Sequence, residues 1–407
     1  MWNERCYNFR VTRILKSSLS CKILALASSG ALWFSFCSKA DAVILLGTGD
    51  PTANTTAPTG DLANSGWQYE GIFGGFLATP IAPNFFITAA HIGGGVGQTF
   101  TYGGVNYTTQ QAYNDPFSDF IIWRVNGPFP TYALLYTSGG EVGQRMVVIG
   151  RGTQRGAEVI KNGTSRGWLW GNGDGVQRWG ENYVTSTPSL GPVNQFVYAT
   201  FDASGSPNEG HLSSGDSGGA VFVQDAGVWK LAGINYSVDG PLFTDNSGGG
   251  AFTAALFDAR GYYYQDAQNP ALYDLITGAR NVPTGLYASR IASKLPWIYS
   301  VIDPNGDADG NGVSNLVEYA LSLNTPDPTG LGAPTMVKDP GFLSIVYRKI
   351  VDATAPHYTV QKSSDLRTWT TVTANETLVS QSGNVHTVKA QVPSTGNRTF
   401  LRVLISP

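Results

Sequence analysis

The stretch SSGDSGGAVF, residues 213–222, places a serine between glycines just before an apolar run. Two glycines after a serine disfavour a helix and weaken a strand, so this backbone is needed for its shape. A serine hydroxyl becomes a nucleophile when a base takes its proton, a carboxylate orients that base and backbone N–H groups receive the oxyanion. We interpret Ser217 as such a nucleophile. The alternative is a tight turn without chemistry.

The base has few candidates, because the chain contains 4 histidines. His91 follows the apolar run NFFITAA and precedes a glycine-rich loop, which is typical of an imidazole at the end of a strand. Asp119 comes directly before the apolar run FIIWRV, and a carboxylate fixed there can hold the imidazole tautomer. Two alternatives stay open, a structural core histidine at position 91 and Asp115 as the carboxylate.

The oxyanion donors are expected next to the nucleophile. Gly215 permits a turn that aims its own N–H and that of Ser217 at one point, and such donors contribute roughly 2.7–4 kcal/mol each in comparable sites. Gly218 and Gly219 are expected to clear space for a substrate backbone.

In order, ITAAH, SDFII and GDSGGAVF resemble the trypsin/chymotrypsin-like serine proteases, whose triad follows the same His, Asp, Ser order. VVIGRGTQ, WKLAGINY and GLYASRIASKLPWI resemble further strands and the closing helix of that family. The resemblance covers residues 70–302. It implies a chymotrypsin-like double β-barrel, serine endopeptidase activity on proteins or peptides, and no cofactor for catalysis. Ile92 and Ser213 stand where the family usually has cysteines.

The resemblance also implies a substrate pocket. Its base lies at His211, with Leu212 and residues 235–240 as walls. Trypsin-like enzymes have an acid at that base, so a preference for basic side chains is not expected, whereas a histidine favours an acidic or polar one. The alternative is a loop histidine that touches solvent.

Activation is a further implication of the family. Its members often pair the acid before the nucleophile, here Asp216, with a freed N-terminal amine. Cleavage of a leader after Ala42 would place such an amine on Val43. The sequence does not tell whether that amine reaches Asp216.

The composition is that of a turn-rich β protein: 50 of 407 residues are glycine, 12% are aromatic and 14% are charged. From residue 43 to 302, short apolar runs separated by Gly, Asn, Asp and Pro predict a mainly β barrel or sandwich. Apolar spacing at Ile291, Leu295 and Ile298 predicts a C-terminal helix within residues 289–302. The aromatic stretch at residues 167–184 is predicted to be either a surface hairpin or part of the substrate cleft.

Residues 1–42 have the pattern of a secretory signal peptide: a basic start, the apolar run ILALASSGALWFSFC, and small residues at Ala40 and Ala42. We therefore expect a secreted, extracellular protein without a membrane span in the mature chain. A membrane anchor is the alternative, although the run is short for a bilayer. Phe36 before Cys37 argues against a lipoprotein. All 3 cysteines lie in this segment, and the net charge of −3 does not favour nucleic-acid binding.

Residues 307–318, DADGNGVSNLVE, fit the EF-hand loop pattern, in which alternating oxygen ligands, a glycine bend and a closing glutamate bind a hard cation. We expect a structural Ca²⁺. The alternative is a solvated Asp/Gly linker. The motif resembles calcium loops of secreted bacterial proteins, which favours a bacterial source. The predicted ligands are Asp307, Asp309, Asn311, Val313 through its carbonyl, Asn315 and Glu318.

The predicted organisation is a signal peptide at 1–42, a trypsin-like serine protease domain at 43–302, a calcium loop and linker at 303–332, and a small β-sandwich-like domain at 333–407. Alternating apolar residues at Leu343, Ile345 and Tyr347 predict strands in the last domain. It resembles C-terminal domains of bacterial exported proteins and would serve surface or matrix attachment, or stabilisation. A catalytically silent binding or adhesion protein is the rival to an endopeptidase, and an ester hydrolase would use the same residues.

Overall fold

The computed structural model describes residues 43–190, 194–307, 312–322, 333–351, 356–383, 385–394 and 398–406. The predicted signal peptide and residues 308–311 and 323–332 of the predicted calcium loop and linker, Asp309 and Asn311 among them, lie outside the described residues. Strands dominate the described chain. Within it, no helix is both long and apolar enough to cross a membrane.

The strands, numbered in chain order, are β1 (Ile44–Leu45), β2 (Gly71–Phe73), β3 (Phe76–Ala82), β4 (Phe85–Ala89), β5 (Thr99–Tyr102), β6 (Val105–Asn114), β7 (Phe120–Val125), β8 (Arg145–Gly150), β9 (Thr153–Lys161), β10 (Thr164–Gly173), β11 (Arg178–Tyr183), β12 (Ser189–Leu190), β13 (Asn194–Thr200), β14 (Gly210–His211), β15 (Ala220–Asp225), β16 (Val228–Val238), β17 (Ala254–Leu256), β18 (Tyr263–Gln265), β19 (Tyr273–Leu275), β20 (Gly285–Arg290), β21 (Thr335–Asp339), β22 (Phe342–Ile350), β23 (His357–Ser363), β24 (Thr370–Thr371), β25 (Asn375–Ser382), β26 (Val385–Pro393) and β27 (Phe400–Ser406). The α-helices are α1 (Leu295–Ile302) and α2 (Asn315–Ala320), and short 3-10 helices span Gly60–Leu62, Trp67–Tyr69, Ala90–Ile92 and Ile291–Ser293.

The first barrel is closed, with strands hydrogen-bonded in the order β2-β3-β4-β7-β6-β5. Closure removes free sheet edges, and aromatic rings fill the interior. Phe86 packs on Phe100 with ring centroids 4.1 Å apart, and Phe73 contacts both Phe86 and Trp123. The antiparallel register of β4 and β7 sets Ala89 opposite Phe120. This register brings the residues after β4 beside the residues before β7.

The second sheet has seven strands in the order β11-β8-β15-β16-β20-β13-β12 and forms a half-barrel. One face is a core of aliphatic side chains, among them Val148, Val221, Val197 and Leu286. Together, the closed barrel and the half-barrel confirm the predicted mainly β, chymotrypsin-like double-barrel fold class. The predicted apolar runs form β4, β7, β8, β13, β15 and β16.

The aromatic stretch at 167–184 divides between two elements. Its first part is β10, which pairs with β9 as a hairpin and with β17 on its other side. Its second part is β11, an edge strand of the half-barrel. In this hairpin Trp168 is 8% exposed and lies under the guanidinium of Arg155, 3.3 Å from the ring centroid, whereas most other side chains of β9 and β10 are partly or fully exposed.

The C-terminal helix is shorter than predicted. Residues before Ile291 belong to β20, Ile291–Ser293 form a 3-10 turn, and α1 begins at Leu295. Pro296 occupies the first turn, where its missing N–H costs nothing and its fixed φ suits a helix start. The range predicted as helical, 289–302, therefore included the end of β20 as well as α1.

The last described part of the chain contains two small sheets, β21-β22-β26-β25 and β24-β23-β27. Side chains from both sheets form one core that includes Tyr347 and Leu401, so the alternating pattern predicted strands correctly. Helix α2 joins this core to the rest of the protein: Val317 packs against it, whereas Tyr319 packs against the core that contains Trp297 and Phe222.

Candidate active site

The imidazole of His91 lies between a hydroxyl and a carboxylate. Its Nε2 is 2.7 Å from Ser217 Oγ, and its Nδ1 is 2.5 Å from Asp119 Oδ2. The backbone N–H of His91 also donates to Asp119 Oδ1, at 2.9 Å. With Nδ1 protonated towards the carboxylate, Nε2 is the acceptor for the serine hydroxyl. The structure therefore brings together the three predicted catalytic residues.

The first barrel positions the imidazole of His91 and the carboxylate of Asp119. The chain leaves β4 at Ala89, makes a 3-10 turn at Ala90–Ile92, and is tied to the start of β7 by an N–H···O bond of 2.7 Å from Ala90 to the Asp119 carbonyl. The side chain of Asp119 is 14% exposed and that of His91 is 41% exposed. The acid is thus largely shielded from solvent, while the imidazole is accessible to it.

The competing acid, Asp115, has other partners. Its carboxylate is 2.7 Å from the ammonium of Lys294 and accepts a short hydrogen bond from Ser118. Both ends of the Asp115–Lys294 pair are nearly inaccessible, with 1% and 6% of the side chains exposed. Burial lowers the pKa of Lys294, although the neighbouring carboxylate opposes this. Asp115 is therefore placed as a structural anchor for the start of α1.

The loop before Ser217 is shaped by glycine. Gly215 has φ +96°, and a β-carbon on it would lie 2.9 Å from Gly152 Cα, so other residues are excluded by both conformation and space. Neither its N–H nor that of Ser217 donates to an acceptor among the described residues. Two backbone donors beside the Ser217 hydroxyl are what an oxyanion hole requires.

The two glycines after Ser217 serve the protein rather than a substrate. A β-carbon on Gly218 would lie 2.5 Å from the Leu77 carbonyl oxygen, and one on Gly219 would lie 2.2 Å from the Ile149 carbonyl oxygen. The expectation that they clear space for a substrate backbone is wrong, because the strands of both barrels already fill that space. They allow the loop between β14 and β15, residues 212–219, to pass between the barrels. We call it the nucleophile loop because it carries the predicted nucleophile Ser217.

Asp216 is buried and receives several hydrogen bonds. Gly152 N–H donates to Oδ1 at 2.7 Å, and Ser213 donates its N–H and its hydroxyl to Oδ2 at 2.7 and 2.9 Å. The backbone N–H of Val43 donates to both carboxylate oxygens, at 3.3 and 3.4 Å. Burial nevertheless raises the pKa of Asp216 to about 6. The carboxylate thus organises the loop and lies beside the residue that would follow a cleaved leader.

Asn235 is a site residue that the sequence did not single out except as part of a pocket wall. It is fully buried, and its side-chain amide donates to the carbonyls of Ile149 (2.8 Å) and Asp216 (3.0 Å). Its backbone exchanges bonds with Gly218 and Gly219. Its Oδ1 is buried and has no partner within the described chain. No sequence signal distinguishes this amide from any other Asn in a strand.

The predicted pocket base is buried. His211 is 0% exposed, its Nδ1 lies 2.7 Å from the Leu212 carbonyl oxygen and its Nε2 lies 3.3 Å from Thr284 Oγ1. Burial lowers its pKa to about 4, which keeps the ring neutral. Leu212 is 3% exposed and packs in the half-barrel core. The solvent-touching alternative for His211 is therefore wrong, and its role in a substrate pocket stays a prediction.

Aromatic side chains extend from the imidazole along the outer face of the half-barrel. The Tyr236 ring lies edge-on to His91, with centroids 6.0 Å apart, and stacks on Phe196 at 5.1 Å. Further along this face, buried Asp239 accepts hydrogen bonds from the hydroxyls of Tyr198 (2.7 Å) and Tyr287 (2.8 Å). Tyr236, one of the predicted wall residues 235–240, thus contacts the imidazole.

The predicted calcium loop is described only in part. Gly312 N–H donates to Asp307 Oδ2 at 2.8 Å, and the Asn315 amide donates to the Asp303 carbonyl at 2.8 Å. Glu318 is 1% exposed and lies within α2. Among described residues, no group of three His, Cys, Asp or Glu side chains is close enough to hold a metal, but two predicted ligands lie outside them. The oxygen donors present suit a hard cation.

The chain was compared with protein-family models, curated proteins and solved structures. No protein-family model matches it, and no curated protein matches it. Among solved structures it is similar to neuropsin, a serine protease expressed in the limbic system of mouse brain. That match has 14% identity and a TM-score of 0.35, and covers 60% of this chain and 98% of neuropsin.

Proposed function

We propose that this protein is a secreted serine endopeptidase that cleaves peptide bonds through an acyl-enzyme. The observation that carries the proposal is the relay Asp119–His91–Ser217, with contacts of 2.5 and 2.7 Å at the junction of the two barrels. A nucleophile, a base within hydrogen-bond reach and an orienting carboxylate are the requirements of acyl transfer.

In the proposed reaction, Ser217 Oγ attacks the peptide carbonyl carbon while His91 Nε2 takes the hydroxyl proton. The carbonyl oxygen becomes an oxyanion that accepts hydrogen bonds from the N–H groups of Gly215 and Ser217. The imidazolium gives its proton to the leaving amine as the C–N bond breaks, which leaves an acyl-serine. Water, deprotonated by His91, then attacks the ester and restores the hydroxyl. Asp119 stabilises the imidazolium in both halves.

A fluorophosphonate probe tests the proposal, because it phosphonylates only an activated serine. We expect the folded protein, isolated after removal of residues 1–42, to be labelled on Ser217. Labelling should be lost in Ser217→Ala and His91→Ala, while both variants keep the wild-type thermal unfolding temperature. Hydrolysis of a quenched peptide library, against simple esters as a control, separates an endopeptidase from an esterase. A folded wild-type protein without labelling would favour a catalytically silent binding protein.

Secretion is part of the proposal, and it is supported by the pattern of residues 1–42. Sequencing of the N-terminus of protein recovered from the culture medium should give Val43 as the first residue. A protein that retains the leader and stays with the cells would contradict secretion.

We also propose that the loop at 307–318 binds a structural Ca²⁺ through the predicted ligands. Its support is the ligand pattern together with a buried acid, Glu318, in the helix that joins the barrel core to the C-terminal core. Ca²⁺, but not Mg²⁺, should raise the unfolding temperature of the wild-type protein and not that of Glu318→Gln. An equal response of both proteins would remove the metal site. Attachment to a surface or matrix through residues 333–407 is proposed on resemblance alone, and loss of attachment on deletion of those residues tests it.

A further inference from the structure

Residues 150–152 lie against the nucleophile loop, and Arg151 is the one residue among them that has a side chain. Its neighbours are glycines: a β-carbon on Gly150 would lie 2.1 Å from Asp216 Oδ1, and one on Gly152 would lie 2.6 Å from the Ser214 carbonyl oxygen. The Arg151 carbonyl oxygen is itself 3.6 Å from where a β-carbon of Gly215 would stand. The segment therefore touches the loop of the proposed oxyanion donors along its whole length.

The side chain of Arg151 extends from the half-barrel, where the residue follows β8, to the closed barrel. Its Nη1 donates to the Gly75 carbonyl at 2.7 Å, in the turn between β2 and β3. Two residues after Gly75, the carbonyl oxygen of Leu77 faces Gly218, on the other side of Ser217 from Gly215. The backbone of Arg151 thus lies next to the nucleophile loop, whereas its guanidinium is held at the turn that leads into β3, the strand whose Leu77 carbonyl faces Gly218. The guanidinium also lies beside Gly175, where a β-carbon would be 3.2 Å from Arg151 Nη2.

This cation lacks a carboxylate. Within the described part of the chain, no Asp or Glu lies within ion-pair distance of Arg151, and its bond to Gly75 leaves other N–H groups of the guanidinium available. Partial burial, acting alone, lowers the pKa of Arg151. Ser214 and Gly75 on either side are exposed, so the position is open to a ligand from solvent.

We propose that Arg151 determines specificity by binding a carboxylate of the substrate beside the scissile bond, and that the favoured substrates carry Asp or Glu there. The proposal rests on the endopeptidase function proposed above. A guanidinium forms paired, charge-assisted hydrogen bonds with a carboxylate, and partial removal from water strengthens them. The same chemistry could be met by the terminal carboxylate of a short peptide, which the experiment separates.

The test uses internally quenched peptides in which Asp, Glu, Asn or Gln occupies each position on either side of the cleaved bond, with free or amidated C-termini. We expect the wild-type protein to have a kcat/KM at least about tenfold higher for Asp or Glu than for Asn or Gln at one flanking position, as a charge-assisted hydrogen bond provides. The preference should persist with amidated C-termini. A preference for free C-termini alone would overturn the side-chain assignment.

Variants of Arg151 identify the residue responsible. Arg151→Gln should remove the acidic preference, Arg151→Lys should retain part of it, and Arg151→Glu should favour Lys or Arg at the same position. Arg155→Gln is the matched control, because Arg155 is also half-buried but lies over Trp168. An Arg151→Gln variant that keeps the wild-type preference would overturn the inference.

Labelling of Ser217 by the fluorophosphonate probe is measured on every variant. Labelled, active wild-type protein without an acidic preference contradicts the role of Arg151 and leaves the proposed endopeptidase intact. An unlabelled wild-type protein contradicts both. Equal labelling of wild type and Arg151→Gln shows that the variant is folded, and a selective fall in kcat/KM for acidic peptides then assigns the effect to substrate recognition.

Discussion

The backbone nitrogen of Val43 lies 3.3 and 3.4 Å from the two carboxylate oxygens of Asp216, the residue before Ser217. Val43 is 3% exposed, and its side chain fits against Gly180 and Gly210, where a β-carbon would lie 3.1 and 3.0 Å from Val43 Cγ1. An amine at this nitrogen would place a positive charge against a buried acid. Burial raises the pKa of Asp216 to about 6 even though hydrogen bonds from Ser213, Gly152 and Val43 oppose the shift, so the added positive charge would favour the ionised carboxylate at neutral pH.

We therefore predict that activity depends on a free amine at Val43. A chain that begins at Val43 should have a kcat/KM at least about tenfold above that of a chain that keeps Ala42 or carries an acetyl group at Val43, because a buried acid without its cation is costly. Active-site titration with the fluorophosphonate probe would measure the competent fraction in each. Equal activity of the three chains would contradict the prediction.

Replacement of Asp119 or of Asp115 by asparagine should separate an effect on catalysis from an effect on stability. Asp119→Asn is expected to lower kcat by roughly 10⁴-fold, as in comparable triads, because the amide no longer holds the imidazole tautomer. Asp115→Asn should instead leave kcat within a few-fold and destabilise the protein by about 3–5 kcal/mol, because it leaves the ammonium of Lys294 buried and unpaired. Steady-state kinetics and urea unfolding measure the two effects. The opposite pattern would make Asp115 the catalytic acid.

Asn235 is expected to position the nucleophile loop. Asn235→Ala removes both donors to Ile149 and Asp216, and we expect kcat to fall at least about tenfold with little change in KM. Asn182→Ala is the control, since the Asn182 amide is also buried and also donates to two carbonyls, of Thr200 and Gly210. Both variants should lose about 1–3 kcal/mol of unfolding free energy. Equal kcat values for the two would mean that Asn235 is structural only.

The approach of His91, Asp119 and Ser217 could be predicted because each of these residues adjoins an apolar run that forms a strand. The sequence left the carboxylate open between Asp115 and Asp119, since both precede β7. The register that sets Ala89 opposite Phe120 brings the second acid to the imidazole. Such a pairing depends on how two strands align, and no local pattern contains that information.

Contacts between distant segments could not be predicted from the sequence either, because they also depend on how strands align. Val43 and Asp216 are 173 positions apart, and Arg151 reaches Gly75 across 76 positions. Gly218 and Gly219 were predicted to leave space for a substrate, whereas backbone carbonyls of the protein occupy that space. Their motif shows that a side chain is not tolerated, but not which atoms exclude it. The helix start was misplaced where a strand and a helix share apolar spacing, at residues 289–302.

Glu70 gives the protein a predictable pH dependence of stability. It is a buried acid directly before β2: Thr79 Oγ1 donates to its Oε1 at 3.0 Å, while its Oε2 has no partner among the described residues. Burial raises its pKa from 4.5 to about 8, so the folded protein binds this proton more tightly than the unfolded chain. Stability is therefore expected to fall as the pH rises from about 4.5 to about 8.

Glu70→Gln should remove this dependence, because the amide stays neutral and can still accept the bond from Thr79. We expect the variant to match the wild type near pH 4.5 and to exceed it by a few kcal/mol above pH 8. The exposed Glu158 provides the control, Glu158→Gln, which should follow the wild type throughout. Urea unfolding across this pH range measures the difference. Parallel curves for wild type and Glu70→Gln would show that Glu70 ionises without cost, and that water or a counter-charge reaches its Oε2.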